Sequence, residues 1–417
     1  MVRHPKTAYR PEALMSRSSH LLKKFEDKFG CQPGLYGAPG RVNIIGDHTD
    51  YNDGFVLPAA IGFSCWVGLA PRTDRKLIIH SDNFGETIQA DLDSLTPRST
   101  GKWPDYPLGV AWAMERAGNR LRGANLYIDS DVPIGAGLSS SAAIEVAVGF
   151  ALLDASHYPV DPVNLALLCQ RAENEFVGAR CGIMDQFTSC CGRAGHLLLL
   201  DCRSLDFQLL RLPAGVQLVI CNTMVKHELG VTEYNTRRAE CEEGVRRLAR
   251  VLPGIRALRD LSPSVLDEHR GLLTDTIYKR CRHVVSENGR VLEASTALKT
   301  SETAALGQLM ADSHRSLRDD YEVSCSELDT MVEIASRQVG VYGSRMTGGG
   351  FGGCTISLVA SEHSPKFQRR VAVEYQAATG LLPDIYVCEA SKGAEAMNTK
   401  DPAAEIAAET SGANKCI

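Results

Sequence analysis

Residues 132–143 read Val-Pro-Ile-Gly-Ala-Gly-Leu-Ser-Ser-Ser-Ala-Ala, and this stretch is the strongest guide to the fold. It follows the strand-like segment Asn125–Ile128 and precedes a helix-like one. Gly135 and Gly137 permit positive φ angles and close backbone approach, and the serines can cap the following helix. The free N–H groups at a helix start bind phosphate. Because the stretch is neither a dinucleotide fingerprint nor a P-loop, a purely structural glycine turn remains an equal interpretation at this point.

A second stretch, residues 38–51, is unusually rich in polar groups and reads Ala-Pro-Gly-Arg-Val-Asn-Ile-Ile-Gly-Asp-His-Thr-Asp-Tyr. Between Arg41 and Tyr51 it holds one cation, two carboxylates, a histidine and two further polar side chains. Such convergent groups suit a polyol, whose hydroxyls each need a donor and an acceptor. The alternative is a solvated turn closed by local side-chain bonds.

Two further segments carry residues of interest. Residues 343–353 read Gly-Ser-Arg-Met-Thr-Gly-Gly-Gly-Phe-Gly-Gly, which could be a linker, yet they lead directly into the predicted strand Thr355–Val359. Asp185 lies in the apolar setting of residues 184–187, where a structural, hydrogen-bonded carboxylate is the usual interpretation. Glu173, on the preceding predicted helix, is by default a solvated charge.

The composition excludes several function classes. The 45 basic and 50 acidic side chains give a formal net charge of −5, so neither nucleic acid nor an anionic membrane surface is an expected partner. The longest apolar run, Ala142–Leu153, is interrupted by Glu145, and a membrane helix needs about 20 residues. The 14 cysteines lack a CxxC spacing and lie in apolar stretches, so we expect free thiols in a reducing cytosol. No zinc site is expected.

Hydrophobic periodicity predicts the elements along the chain. The predicted strands are Asn43–Ile45, Phe63–Leu69, Leu77–His80, Asn125–Ile128, His196–Leu200, Gln217–Cys221, Thr355–Val359 and Asp384–Cys388. The predicted helical segments are Ala13–Phe29, one after Leu138, Val163–Val177, Val231–Leu252 and Ala304–Gln338. A change to helix-rich texture predicts two domains, 1–210 and 211–417, with a boundary placed to within tens of residues. The first dozen residues are expected to fray, and about 397–417 to form a frayed helix or flexible tail.

Taken together, the motifs resemble the GHMP small-molecule kinase superfamily and the galactokinase family within it. The matching segments are GRVNIIGDHTDY, PIGAGLSSSAA and MTGGGFGGC, together with CGIMDQF, VTEYNTRR and SLRDDYEVSC, and they run from about Ala38 to about Cys388. The resemblance implies an α/β (α+β) fold of two domains with the active site between them. The N-terminal domain would contain a left-handed βαβ unit, and the C-terminal one would be ferredoxin-like.

The resemblance also implies a reaction and the residues that perform it. The γ-phosphoryl group of ATP would pass to the anomeric hydroxyl of α-D-galactose, giving galactose 1-phosphate and ADP. Asp185 would face that hydroxyl with Arg41 beside it, and Mg²⁺ would be held by Ser141 and Glu173, directly or through water. The implied sugar-binding residues are Asp47, His48, Thr49, Asp50 and Tyr234. The implied ATP-binding residues are Ser81, Gly135, Ala136, Gly137, Leu138, Ser139, Ser140 and Ser141.

One residue departs from the family pattern. The signature usually reads GEHTDY, whereas position 47 here is aspartate, so the carboxylate is one methylene shorter. The shorter side chain bears on sugar affinity and specificity more than on the reaction.

Other functions remain to be weighed against this one. A related kinase acting on N-acetylgalactosamine or L-arabinose would share the scaffold. A non-catalytic galactose and ATP sensor would lack the Ser-Ala dipeptide that Ser141-Ala142 supplies here. A dinucleotide-dependent oxidoreductase is disfavoured by the missing fingerprint. We expect a cytoplasmic protein, monomeric or weakly self-associating, whose partners are its small-molecule substrates.

Overall fold

The computed structural model describes residues 6–7, 11–225 and 230–397. Most of the predicted tail, residues 398–417, and several of the first dozen residues lie outside this part. The strands are β1 (Lys6–Thr7), β2 (Gly34–Asn43), β3 (Phe55–Val56), β4 (Pro58–Pro71), β5 (Lys76–Ser81), β6 (Glu86–Asp91), β7 (Ala124–Ser130), β8 (His196–Asp201), β9 (Phe207–Arg211), β10 (Val216–Asn222), β11 (Val341–Met346), β12 (Cys354–Ala360), β13 (Asp384–Cys388) and β14 (Glu395–Met397).

Helices cover the sheets and fill the second half of the chain. They are α1 (Pro11–Phe29), α2 (Asp105–Arg116), α3 (Ser140–Ala155), α4 (Pro162–Arg171), α5 (Met184–Cys191), α6 (Gly230–Leu248), α7 (Pro263–Glu268), α8 (Asp275–Lys299), α9 (Thr303–Ser316), α10 (Ser326–Ser336) and α11 (Ser364–Thr379). A π-helical turn extends α4 over Ala172–Val177, and another extends α9 over Leu317–Tyr321. Such turns are frequent at functional sites.

Three sheets organise these elements. The six-stranded sheet has the order β14-β2-β4-β7-β5-β6, the five-stranded sheet has the order β1-β13-β10-β12-β11, and a small sheet has the order β3-β8-β9. In the six-stranded sheet β2 runs antiparallel to β4, whereas β5 and β7 are parallel. Strand β4 is buried along most of its length, as expected of a central strand covered on both faces.

The two ends of the chain each join a sheet built mainly by the other half. Strand β14 pairs with β2, with Met397 opposite Leu35, and β1 pairs with β13, with Lys6 opposite Tyr386. The predicted domain boundary at residue 210 falls in β9, and the division into 1–210 and 211–417 stays a prediction.

Helix α3 lies at the centre of the N-terminal core. It packs against β2 and β4 and contacts α2, α4 and α5. Its residues from Ala142 to Leu153 are almost all buried, because a helix that is apolar on every side must be covered on every side. The glycine loop that precedes α3 is thereby held at the edge of a rigid core.

Most predicted elements are confirmed, with instructive exceptions. The predicted strand Asn43–Ile45 is wrong, because β2 ends at Asn43 and a buried turn follows. The predicted helix Val163–Val177 changes to π geometry at Ala172. The predicted helix Ala304–Gln338 is interrupted at residues 322–325, which are not helical and begin with Glu322 in the left-handed conformation. The long helix α8 and the glycine-rich strand β2 were not predicted. Across the described ranges, no helix is both long enough and apolar enough to span a bilayer.

Candidate active site

A cavity of about 340 Å³ brings the motifs together. Its walls come from the turn after β2, the glycine loop before α3, the start of α5, helix α6 and the third glycine motif. The predicted site residues that line it are Arg41, Asp47, His48, Asp50, Gly135, Gly137, Leu138, Ser139, Ser140, Ser141, Asp185 and Tyr234. Segments far apart in sequence therefore form one site.

The glycine loop is shaped by three residues with positive φ. Gly135 and Gly137 have φ angles of 70° and 75°, and Ser139 adopts the left-handed conformation with φ 60°. We expected the serines to cap α3, but the Ser139 side chain forms no cap hydrogen bond to the described helix. Its hydroxyl donates instead to Asp185 Oδ2 at 2.6 Å. The N–H groups of the first turn of α3 are consequently available to bind an anion.

Asp185 is fixed by a two-pronged ion pair with Arg41. Arg41 Nε lies 2.7 Å from Asp185 Oδ1, and Nη2 lies 2.8 Å from Oδ2. The third guanidinium nitrogen donates to the carbonyl oxygen of Gly137 at 2.7 Å. Burial opposes the charge on Arg41, but the nearby Asp185 outweighs it, so the pKa of Arg41 lies above its usual value. This arrangement fixes a carboxylate at the mouth of the glycine loop.

His48 lines the cavity with a buried ring. It has a positive φ of 65°, and its Nδ1 is 2.8 Å from the hydroxyl of Tyr51, which in turn is 2.8 Å from the hydroxyl of Tyr321. The His48 and Tyr321 ring centroids are 4.6 Å apart. Burial holds the pKa of His48 well below its usual value, so the ring is neutral. Its Nε2 is buried and meets no strict hydrogen-bond geometry with a described residue, although the backbone of Gly349 lies close enough to oppose part of the lowering of the pKa.

Asp50 lies against the same cavity and depends on a neighbouring glycine. Burial, reinforced by the charge of Asp185, raises the pKa of Asp50 to about 6. The backbone N–H of Tyr51 donates to Asp50 Oδ1 at 2.9 Å. A Cβ atom at Gly182 would lie only 2.0 Å from Asp50 Oδ2, so a glycine is required for the carboxylate to keep this position.

Asp47 is held on every side by protein groups. Its Oδ2 forms an ion pair with Arg345 Nη2 at 2.6 Å, and its Oδ1 accepts from Asn43 Nδ2 at 3.1 Å and from the backbone N–H of Gly348 at 3.2 Å. Burial raises the pKa of Asp47, although Arg345 opposes this. Asp47 thus joins the end of β2 to the third glycine motif, and its role as a sugar ligand stays a prediction.

Glu173 and Ser141 form a pair of oxygen donors at the start of α3. Glu173 lies in the first π-helical turn, just behind the cavity wall, and its carboxyl hydrogen-bonds with the Ser141 hydroxyl. Burial and the charge of Asp185 raise the pKa of Glu173 to about 7. A carboxylate and a hydroxyl are hard oxygen donors of the kind that Mg²⁺ prefers, so these residues fit that ion.

Besides Glu173, three predicted residues are not part of the cavity lining. The Thr49 hydroxyl contacts the carbonyl oxygens of Gly46 at 2.8 Å and Phe55 at 2.6 Å, so it closes the turn that carries His48. Ser81 is buried at the end of β5, and Ala136 is a buried residue of the glycine loop itself. Their predicted ligand contacts stay predictions.

Several residues that build the site were not predicted. Glu287 on α8 accepts from the Gly46 N–H at 2.9 Å and from the Ser313 hydroxyl at 2.6 Å. Burial opposes its charge, but Arg290, His283 and Arg345 together with the Ser313 hydrogen bond lower the pKa of Glu287 to about 2. Arg345 could have been singled out, since it is the one cation in the third glycine motif. A glutamate on a charged helix such as α8 gives no such signal.

Three family models match the chain. The model described as GHMP kinases N terminal domain matches residues 105–193, and the one described as GHMP kinases C terminal matches residues 294–376. The galactokinase galactose-binding signature matches residues 23–71, which include the turn that carries Asp47 and His48.

Curated relatives and solved structures match over most of the chain. A galactokinase of Chloroflexus aggregans is 47% identical over 380 residues, covering 91% of this chain and 97% of that one. A galactokinase of Glaesserella parasuis is 45% identical, covering 89% and 97%. The crystal structure of Lactococcus lactis galactokinase complexed with galactose aligns with a TM-score of 0.88 at 36% identity, covering 91% of this chain and all of that one.

A more distant structure shares the fold alone. Methanococcus jannaschii mevalonate kinase aligns with a TM-score of 0.60 at 18% identity. The predicted α/β fold class and the resemblance drawn from the motifs are both confirmed. Since relatives of such high identity align almost from end to end, the chain belongs to the galactokinase family of the GHMP kinases.

Proposed function

We propose that the protein is an ATP-dependent sugar kinase that transfers the γ-phosphoryl group of ATP to the anomeric hydroxyl of α-D-galactose. The observation that carries this proposal is the position of Asp185, bound by Arg41 and placed beside the glycine loop at the start of α3. The family membership of the chain supports both substrates.

The residues of the site suit this chemistry. Phosphoryl transfer depends on in-line positioning and charge neutralisation more than on covalent help. The glycine loop and the free N–H groups of α3 would hold the phosphates. Asp185 would accept the proton of the sugar hydroxyl, and Arg41 would orient Asp185 and stabilise charge on the transferring group. Mg²⁺, when bound, supplies further neutralisation of the phosphates, and Ser141 and Glu173 would hold it.

The sugar would bind at the end of the cavity that His48, Asp50 and Tyr234 line. These side chains offer donors and acceptors that hydroxyl groups require. The ring of Tyr234 lies 5.6 Å from the ring of His48, so it would close this end of the pocket.

An ATP-coupled assay over galactose, N-acetylgalactosamine, L-arabinose and glucose tests the proposed reaction. We expect the largest kcat/KM for galactose. A larger kcat/KM for N-acetylgalactosamine or L-arabinose would reassign the substrate on the same scaffold. Sugar and ATP binding with no turnover for any sugar would instead support a sensor.

Replacing Glu173 with alanine is expected to raise the Mg²⁺ concentration needed for half-maximal activity by about tenfold or more, because a carboxylate donor is lost. The measurement is a Mg²⁺ titration at saturating ATP and sugar. Glu175, exposed in the same turn and paired with Arg171, provides a matched control as Glu175→Ala. An unchanged titration for Glu173→Ala would remove this residue from the metal site.

Lengthening Asp47 to glutamate is expected to change the galactose KM by about fivefold or more, equivalent to about 1 kcal/mol. The longer side chain must displace the buried contacts with Arg345 and Gly348 or extend into the cavity. Steady-state kinetics with varied galactose provide the measurement. Wild-type KM in Asp47→Glu would show that this carboxylate does not influence the sugar.

We also propose that the enzyme works in the cytoplasm as a monomer or weak homo-oligomer. All thirteen cysteines in the described ranges are free thiols, which suits a reducing compartment. Light scattering over a range of protein concentrations would measure the association.

A further inference from the structure

Glu145 is a buried carboxyl group for which the proposed reaction has no use. It is 0% exposed and lies in α3, in the run of residues that forms the N-terminal core. An ionisable side chain is costly to bury and needs compensating partners. Glu145 follows Ser141 by one helical turn, so both side chains lie on the same face of α3. That face is directed towards Glu173 and helix α5.

One nitrogen atom joins Glu145 to Glu173. Gln186 Nε2 lies 3.0 Å from Glu145 Oε2 and 2.5 Å from Glu173 Oε2. A primary amide has two N–H groups, so it can donate one to each carboxyl. Gln186 is itself fully buried and directly follows Asp185 in α5.

The orientation of the Gln186 amide depends on these two bonds. Its Oε1 has no hydrogen-bond partner within the described part of the chain. If the amide turned over, this oxygen would face the oxygens of Glu173 and the bond would be lost. Two carboxyl acceptors beside the amide nitrogen favour this orientation of Gln186 more strongly than the Glu173 carboxyl would on its own. Glu145 supplies the second acceptor from a helix that the core holds rigid.

We propose that Glu145 is a positioning residue that fixes the Gln186 amide and so directs the Glu173 carboxylate towards the cation of the nucleotide. The inference rests on the proposed function, because it takes Glu173 as a metal-holding residue. Supporting interactions of this kind orient the groups that contact a metal, and their loss typically weakens metal affinity about 10- to 100-fold.

The test measures metal binding directly, with Mn²⁺ as a paramagnetic substitute for Mg²⁺ and a non-hydrolysable ATP analogue. Free Mn²⁺ is followed by electron paramagnetic resonance in the full-length protein. Glu145→Met preserves side-chain length, puts no charge in the core and removes the acceptor. We expect it to weaken Mn²⁺ binding about tenfold or more. Glu145→Gln keeps an oxygen that can accept from Gln186, and it should stay within about threefold of wild type.

Two further variants separate positioning from general destabilisation. Val148→Ala removes buried apolar volume from the same helix, so it should lower the melting temperature while leaving Mn²⁺ affinity unchanged. The double variant Glu145→Met/Gln186→Leu should be no weaker than Gln186→Leu alone, because both changes break the same linkage.

The outcomes distinguish this inference from the proposed function. If Glu173→Ala weakens Mn²⁺ binding but Glu145→Met does not, Glu145 is not a positioning residue and the metal role of Glu173 stands. Equal losses in Glu145→Met and Val148→Ala would likewise overturn the positioning role. If Glu173→Ala itself has no effect on Mn²⁺, the proposed metal site fails and the inference fails with it.

Discussion

Replacing Asp185 with asparagine is expected to lower kcat about 10²- to 10⁴-fold, the range associated with loss of a positioned general base. Asparagine keeps the shape of the side chain but cannot accept the proton of the sugar hydroxyl. The Arg41 guanidinium and the Ser139 hydroxyl, which bind both carboxylate oxygens, would face one oxygen and one NH₂ group instead. The glycine loop itself is unaltered, so ATP should bind nearly as well as to the wild type.

Two measurements check this expectation. Steady-state kinetics give kcat, and calorimetry gives the affinity for ATP in the absence of sugar. Asp206→Asn is a matched control, since Asp206 is exposed and lies outside the cavity lining. A variant that retained more than about a tenth of the wild-type kcat would show that Asp185 is not the base.

Replacing Arg345 with methionine is expected to lower the free energy of unfolding by about 3–5 kcal/mol, because it leaves a buried charge without its partner. Arg345 and Asp47 have side-chain exposures of 0% and 2%. Arg345 also donates to the carbonyl oxygens of Asn43 and Ile44, at 3.4 Å and 3.2 Å. Removing the Arg345 guanidinium therefore removes contacts with the whole buried turn between β2 and His48.

Urea unfolding, followed by tryptophan fluorescence and circular dichroism together, measures this loss, since a single free energy requires coincident transitions. Asp47→Asn and the double variant complete a cycle. We expect the double variant to be more stable than the sum of the two single losses predicts, by about 0.5–3 kcal/mol. If the free-energy losses of the two single variants simply added up in the double variant, the ion pair would contribute no coupling energy between Arg345 and Asp47.

The sequence predicted the parts of the site that lie in local motifs. The glycine loop, Arg41, the segment from Asp47 to Asp50, and Asp185 could be identified because unusual residues cluster there. Most of these residues do line one cavity. The motifs could not show which other side chains hold these site residues in place. Those supporting contacts join residues that are hundreds of positions apart in the sequence.

Helix α8 and strand β2 show why the remainder could not be predicted. Glu287 supports the Gly46 turn from a helix whose sequence is rich in charged residues, so the glutamate looks like an ordinary surface charge. Strand β2 contains three glycines and a proline, which are normally poor strand formers. Tertiary pairing with β4 overrides that local preference.

The serine cap predicted for α3 was wrong because a tertiary contact replaces it. The Ser139 hydroxyl donates its hydrogen bond to Asp185 and not to the backbone of the helix.

The exchange of strands between the two ends of the chain has a consequence for biosynthesis. Strand β14, from Glu395 to Met397, covers the outer edge of β2 in the N-terminal sheet. The ribosome completes this strand only after it has made every other strand of that sheet. Until then the N-terminal sheet has an open edge, and open edges invite pairing with other chains. Strand β14 therefore closes this edge late, and we expect the nascent chain to stay prone to aggregation until residues 395–397 have been made.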